Sequence, residues 1–180
     1  MLHDKQRQVR FVSNRKALSN ERRSLGTRYE QRFFAIRYAA NKGLSIPFPP
    51  GPFNGLISIH GSVDDAVLES VGMQLLEYGM RAAMMQGDKA GRMGEILDQL
   101  VDEHQIMHDG RTVYNSVHED ESLEEVIDYF ILPNGLAEQG LLVVIGGETD
   151  FDEATDLFRN ILSDDAALVA VEADTEVELS

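Results

Sequence analysis

The chain has 180 residues, no cysteine, a hydrophobic fraction of 43% and a formal net charge of −15. These values exclude wholesale disorder and a disulfide framework or thiolate metal site, and no apolar run reaches the roughly 18 residues that a membrane-spanning helix needs. We also expect no secretory signal peptide, since no apolar stretch follows the basic residues near the start.

Charge is divided unequally along the chain. Residues 1–42 hold eleven basic and three acidic residues, a net charge of +8, and the remaining 138 residues carry −23. Such asymmetry is typical of a segment that binds a partner. Three hypotheses fit: the basic segment docks on the acidic body of a neighbouring copy, it neutralises nucleic-acid phosphates, or it is a solvated tail. Self-association is favoured because every copy already carries the complementary surface, whereas the acidic body would repel a nucleic acid.

Residues 1–45 are predicted to form an extended basic N-terminal arm that contains a helix. Asn20 is a capping residue, apolar side chains from Leu25 to Ala40 recur at helical spacing, and Gly43 supplies a stop. The predicted helix, residues 20–41, is amphipathic and cationic. We expect the arginines of the arm to contact the partner: Arg7, Arg10, Arg15, Arg22, Arg23, Arg28, Arg32 and Arg37.

Four of the five prolines fall in residues 46–54. Proline fixes φ and donates no backbone hydrogen bond, so this segment is predicted to be a stiff, extended connector that spaces the arm from the body. It marks the boundary of an acidic α/β body, residues 55–180.

The body begins with a predicted strand at residues 55–60, followed by a helical hairpin. Ser62 to Asp65 has the pattern of a capping box; it starts a helix over 64–86, and after a tight turn a second helix runs over 89–107. Glycines inside a helix indicate close approach of another backbone, and methionines suit an adaptable surface. We therefore predict a subunit interface, with a loosely packed core as the alternative, at Gly72, Gly79, Met73, Met80 and Met84.

His104 and His108 are four residues apart and would project from one face of the second helix. With Asp109 and His118 nearby, they are candidate ligands of zinc or a similar ion. Against this, the order Glu-His-x-x-x-His differs from the HExxH of zinc proteases, His104 continues an apolar stripe, and His108 suits the C-terminus of a helix. We therefore expect no cofactor.

The second half of the body alternates strands and helices. Strands are predicted at 112–117, 141–145 and 167–171, with a short helix at 123–131 and a longer one after Gly147. The last strand–helix–strand run predicts a right-handed βαβ unit. Two glycines, 146 and 147, lie where phosphate-binding loops occur, but carboxylates crowd the helix start that follows and would repel a phosphate.

The short helix carries an acidic face. A solvated surface is the plain explanation, and a docking patch for the cationic arm of a neighbour is the functional one. The residues of this face are Glu121, Glu124, Glu125 and Asp128.

Together these features predict an α/β or α+β fold with a small mixed sheet, a helical hairpin and the basic arm. They favour a non-enzymatic structural subunit of a homo-oligomeric ring or shell, with other structural proteins as further partners. We expect a virion head, neck or tail component, located in a virion or the cytoplasm. The alternatives are a nucleic-acid-binding regulator that uses the arm and a metal-dependent enzyme at His104 and His108. The excess of acids and of Arg over Lys is also typical of proteins from a high-salt cytoplasm.

Overall fold

Six strands and four helices make up the described part of the chain, residues 21–40, 42–106 and 112–177 of a computed structural model. None of these helices is long and apolar enough to cross a membrane. In chain order the elements are β1 (Arg22–Arg28), β2 (Gln31–Arg37), β3 (Phe53–Ile59), α1 (Asp65–Tyr78), β4 (Met80–Gly87), α2 (Ala90–His104), β5 (Tyr114–His118), α3 (Leu123–Phe130), β6 (Gln139–Ile145) and α4 (Glu148–Val177).

The six strands form one mixed sheet in the order β1-β2-β6-β3-β4-β5. β1 is antiparallel to β2, and all other neighbouring strands are parallel. The predicted α/β class with a mixed sheet is therefore confirmed. Because five strands run in one direction, their carboxyl ends meet at one end of the sheet, the carboxyl edge, and their amino ends meet at the amino edge.

Helices cover both faces of the sheet, as buried parallel strands require. α1 and α2 pack on one face, and α3 and α4 pack on the other. Successive side chains of a strand point to opposite faces, so Leu56 of β3 packs with α3 and α4 while Ile57 packs with α1 and α2. The same alternation in β6 sends Leu142 and Val143 to opposite faces.

The predicted helix over residues 20–41 is wrong, because β1 and β2 form a β-hairpin there. Its turn residues, Tyr29 and Glu30, have φ angles of 48° and 64°, the two left-handed positions of a type I′ turn. Neither is the usual Gly, Asn or Asp, so no turn signal interrupted the helical spacing. β2 pairs with β6 of the predicted body, so residues 22–37 belong to the sheet. Residues 1–20 lie outside the described residues.

The helical hairpin is also wrong, because a strand separates its two helices. α1 ends at Tyr78, since Gly79 has a φ of 121° and leaves the helical region, and β4 follows. β4 is a short apolar run, which periodicity alone does not distinguish from a helix. α1 and α2 still pack against each other. α1 starts after Asp64 without a side-chain cap, so Ser62 does not form the predicted capping box.

The predicted strand at 167–171 is wrong, since α4 continues from Glu148 to Val177. No glycine or proline interrupts these residues, and extending a helix that has begun is less costly than nucleating a new element, because each added residue gains a hydrogen bond. The right-handed βαβ unit expected over 141–171 is therefore not formed. The strands predicted at β3, β5 and β6 and the short helix at α3 are confirmed.

The proline-rich segment, residues 46–54, packs against the body instead of spacing an arm from it. Phe48 is buried, and its ring centroid lies 5.5 Å from that of Phe53. The Gly51 N–H donates to the Tyr78 carbonyl at 3.0 Å, and the Tyr78 hydroxyl donates to the Phe48 carbonyl. The segment thus covers the C-terminal end of α1 and leads directly into β3.

Candidate functional site

The arginines predicted to bind a partner have different environments. Arg23 binds its own chain: its guanidinium donates to the Thr155 hydroxyl at 2.6 Å, pairs with Asp152 and lies 4.5 Å from the centroid of the Phe151 ring. Arg23 is therefore engaged by α4. Three of the predicted residues lie outside the described ranges: Arg7, Arg10 and Arg15.

The remaining arginines line the β1–β2 hairpin. Arg37 reaches the Glu21 carboxylate at 3.9 Å. The Arg28 guanidinium lies 4.8 Å from the centroid of a tyrosine ring in the turn. Arg32 is exposed, whereas Nε of Arg22 is buried without a hydrogen-bond partner within the described ranges. The hairpin is thus a basic side of the sheet whose charge is partly neutralised within the chain.

The predicted acidic face of α3 lies at the surface, where Glu124, Glu125 and Asp128 are exposed and Glu121 is partly exposed. Glu125 forms a capping box with Ser122. Its carboxylate accepts the Ser122 N–H at 2.8 Å, and the Ser122 hydroxyl accepts the Glu125 N–H at 3.3 Å. The backbone N–H and then the hydroxyl of Ser122 hold the pKa of Glu125 below its usual value. The role of this face as a docking patch stays a prediction.

The predicted interface glycines meet other parts of the same chain. A Cβ on Gly72 would lie 3.1 Å from Leu100 of α2, and one on Gly79 would lie 2.3 Å from the Gly51 carbonyl oxygen. Other groups do approach both glycines closely, as predicted. They belong to α2 and to the proline-rich segment of the same chain, not to a second subunit. The interface methionines are buried or partly buried: Met73, Met80 and Met84.

The candidate metal ligands are only partly described. His104 is exposed in the last turn of α2, where a cation is favoured, and does not continue the buried stripe. His108 and Asp109 lie outside the described ranges. Over residues 21–40, 42–106 and 112–177, no group of three or more His, Asp or Glu side chains is placed to hold a metal ion. A metal site at His104 and His108 stays a prediction.

Ser58, His60 and Asp150 form a polar cluster at the carboxyl edge that the sequence patterns did not predict. It lies between the ends of β3 and β6. After β3 the chain continues to α1 on one face of the sheet, and after β6 it continues to α4 on the other face. Open α/β sheets commonly bind ligands at such a point, where the connections on the two sides diverge. Ser58 Oγ lies 2.9 Å from His60 Nε2, and His60 Nδ1 lies 3.5 Å from Asp150 Oδ1. Ser58 is fully buried, so its hydroxyl cannot attack a substrate. Asp150 also accepts the Gly147 N–H at 2.7 Å, which occupies the start of α4 where a phosphate would bind.

A second trio repeats this arrangement in β5. Ser116 Oγ lies 2.9 Å from His118 Nε2, and His118 Nδ1 lies 2.5 Å from a Glu121 carboxylate oxygen. The signal in the sequence is the repeated Ser-x-His, at 58–60 and 116–118. Because side chains two apart on a strand share a face, the motif brings hydroxyl and imidazole together. Partners at both ring nitrogens hold each imidazole in place.

Two cavities lie away from these clusters. A cleft of about 620 Å³ opens at the amino edge between the proline-rich segment and the loop before β6, and Glu138 is the one charged residue in its wall. A groove of about 110 Å³ lies beside α3, over β3 and β4, and has no charged residue in its wall. Tyr129 and Leu132, both about half exposed, stand beside this groove. Neither cavity gathers the acid and base groups that catalysis needs.

The outermost strands, β1 and β5, differ in how they are protected from pairing with another strand. β1 carries three arginines and a bulge between Ser24 and Gly26, and the Arg159 guanidinium donates to the Ser24 carbonyl at 2.9 Å. Charges and bulges of this kind block edge pairing. β5 has no bulge, proline, lysine or arginine, and no described strand pairs with its outer side. We call the outer side of β5 the open edge.

Exposed apolar side chains gather at the open edge. Tyr114 (54% exposed) and Val117 (44% exposed) stand on opposite faces of β5. Tyr129, also 54% exposed, stacks on His118 with 6.4 Å between ring centroids. Tyr114, Val117 and Tyr129 are three of the five large exposed hydrophobic side chains that the described residues hold.

The profile of a protein family described as a domain of unknown function (DUF7684) matches residues 33–139. The matched span runs from β2 to the first residue of β6 and contains the open edge, whereas β1 and α4 lie outside it. No curated protein and no solved structure matches the chain.

Proposed function

The chain belongs to the DUF7684 family, a domain of unknown function, and we propose that it is a non-enzymatic structural subunit of an oligomeric assembly. The open edge carries the proposal. The outer side of β5 offers backbone N–H and C=O groups to another strand, and exposed apolar side chains flank them. An unprotected edge of this kind is a template for strand addition by another chain.

In this proposal the two Ser-x-His trios stiffen the carboxyl edge and do not catalyse a reaction. A nucleophile must reach its substrate, and Ser58 is fully buried. The serine and the carboxylate of each trio lie at the two ring nitrogens of His60 and His118, as in a catalytic triad, but neither of the two cavities described above is lined by His60 or His118. The first trio ties the end of β3 to the start of α4, and the second ties the end of β5 to the loop before α3, which supports a rigid β5.

The basic arm supplies the second contact of the proposed assembly. Arg23 and Arg37 are engaged by carboxylates of their own chain, so the proposal assigns the contact to the exposed Arg32 and to Arg7, Arg10 and Arg15, which lie outside the described residues. Their acceptor in this proposal is the exposed acidic face of α3. The assembly we propose is a virion head, neck or tail, by analogy with small subunits that carry basic arms.

The mass of the full-length chain, measured by light scattering over a range of concentrations, tests the open edge. Tyr114→Lys should lower the mass to that of the monomer, because lysine on an edge strand opposes pairing. Tyr29→Lys is a matched control, since Tyr29 is also 54% exposed but lies in the β1–β2 turn, and should leave the mass unchanged. A native chain that is monomeric throughout, or an oligomer that tolerates Tyr114→Lys, contradicts the proposal.

The arm is tested by substitution, because deletion of residues 1–45 would remove β1 and β2 from the sheet. Replacing Arg7, Arg10 and Arg15 together by Gln should weaken assembly at low salt and have little effect at high salt, where exposed charges are screened. Assembly that is unchanged at low salt removes the arm from the proposal. Retention on DNA that the triple variant loses would instead favour the nucleic-acid-binding regulator.

A further inference from the structure

We propose that the occupant of the open edge is a second copy of this chain, with β5 paired antiparallel to β5 about a two-fold axis at Ser116. The inference rests on the proposed function and names its partner. The pairing would join the two six-stranded sheets into one continuous sheet. A two-fold contact uses the same patch on both copies, and therefore closes without leaving a free copy of that patch.

The contrast between β1 and β5 points to pairing of like strands. A head-to-tail contact would require β1 of the next copy, but its bulge and the Arg159 guanidinium on the Ser24 carbonyl disturb the ladder there. β5 has regular geometry and its sequence, Tyr-Asn-Ser-Val-His, contains no acidic residue, lysine or arginine. Two β5 strands therefore meet without burying an unpaired acidic or basic side chain.

The register about Ser116 is self-complementary. Antiparallel pairing at this residue places Tyr114 opposite His118 of the second copy, and Asn115 opposite Val117 of the second copy. Tyr114 and His118 lie on the α3 side of the sheet, in register with Ala82 and Gln86 of β4. Each His118 is already stacked on Tyr129, so a row of three aromatic rings crosses the interface on each side of the axis. Cross-strand aromatic pairs of this kind stabilise sheets.

Charge selects the antiparallel arrangement over the parallel one. Three consecutive acids, residues 119–121, follow β5 directly. A parallel pair would set the two acidic runs side by side. In an antiparallel pair about Ser116 the first acids of the two runs, the two Glu119 residues, are offset by six residues along the strands, about 20 Å at the usual rise per residue and about two and a half Debye lengths at physiological salt. Because the chain still carries a net charge of −15, we expect dimerisation to tighten as salt is added.

Disulfide trapping tests the register, because the native chain has no cysteine. In full-length Ser116→Cys, the two cysteines of a dimer would face each other with Cα atoms about 5 Å apart, which is within disulfide range. Mild oxidation should therefore give a covalent dimer. In the matched Tyr114→Cys variant the two thiols are offset by four residues, about 14 Å, and should not cross-link. A mixture of Tyr114→Cys and His118→Cys should cross-link, since these positions face each other.

The outcomes separate this inference from the proposed function. A native chain that is monomeric at every concentration and in high salt overturns both. An oligomer that Tyr114→Lys dissociates, but in which Ser116→Cys gives no covalent dimer, keeps the assembly and overturns the two-fold register. Cross-linking of Tyr114→Cys alone as efficiently as Ser116→Cys also overturns that register. If sedimentation shows that the dimer of the native chain becomes weaker as salt is added, the charge argument is contradicted. That result would point to contact through the basic arm.

Discussion

Replacing Gly79 by Ala probes how the proline-rich segment is fastened to the end of α1. Gly79 has a φ of 121°, where an L-residue incurs strain of about 1–3 kcal/mol. A Cβ there would lie 2.3 Å from the Gly51 carbonyl oxygen, and the obstacle is backbone, so the segment itself must move. That movement would lengthen the hydrogen bond from the Gly51 N–H to the Tyr78 carbonyl, worth about 1 kcal/mol, and loosen Phe48.

The expected loss is therefore about 2–4 kcal/mol, a large share of the roughly 5–15 kcal/mol that stabilises a typical domain. Gly135→Ala is the matched control. Gly135 has a φ of 71° with nothing within 4 Å of the added Cβ, so it should lose only the conformational term, about 1–2 kcal/mol. Urea unfolding followed by far-UV circular dichroism gives both values. Losses within about 0.5 kcal/mol of each other, below the scatter of single-residue effects, would refute the steric argument.

The same unfolding measurement tests other features. Phe158 is fully buried, so Phe158→Ala should lower the free energy of unfolding by about 3–5 kcal/mol, and a loss below about 1 kcal/mol, as at a surface site, would contradict the packing described. Ser122→Ala removes the N-cap of α3 and should cost about 1 kcal/mol at pH 7. The pKa of Glu125 is lowered on folding. The ionised carboxylate therefore adds to the free energy of unfolding above the unfolded-state pKa, and this contribution is lost as pH falls through the folded-state pKa. In Glu125→Gln the free energy of unfolding should accordingly fall less steeply as the pH is lowered through that range. The Arg92 guanidinium donates to the Asp65 carboxylate at 2.8 Å and holds the pKa of Asp65 below its usual value, so Arg92→Gln should raise that pKa in an NMR titration, and an unchanged titration would exclude the pair in solution.

Short sequence patterns, such as an apolar run or a capping box, predicted those elements whose conformation depends mainly on neighbouring residues. The apolar run of β6 is short and rich in β-branched residues, which favours a buried strand, and the glycines that follow it mark its end. The capping box shows the limit of a local motif: Ser-x-x-Asp at 62–65 does not cap α1, whereas Ser-x-x-Glu at 122–125 caps α3. The two motifs offer similar groups, and which of them forms depends on the path by which the chain enters the helix.

The β1–β2 hairpin and β4 could not be read in the same way. The apolar run of β2, from Phe33 to Ile36, is packed against helices on both faces of the sheet, so it lacks the alternation that identifies a half-exposed strand. From its sequence alone, β4 resembles a continuation of α1. The structure shows that the helix ends at Tyr78 because Gly79, with its positive φ, turns the chain before β4 begins. In both segments the strand conformation is stabilised by ladder bonds to residues far away along the chain, such as the pairing of β2 with β6.

The sequence by itself determined the α/β class, the buried strands β3 and β6, the amphipathic α3 and the acidic start of α4. Only the tertiary structure decided that Ser58, His60 and Asp150 converge, that Arg23 is bound by α4, and that β5 is the outermost strand on its side of the sheet among the described residues. Apolar periodicity and capping act over a few residues, so they are visible in the sequence. The order of strands in a sheet depends on hydrogen bonds and packing between distant segments, and no short stretch of the chain carries that information.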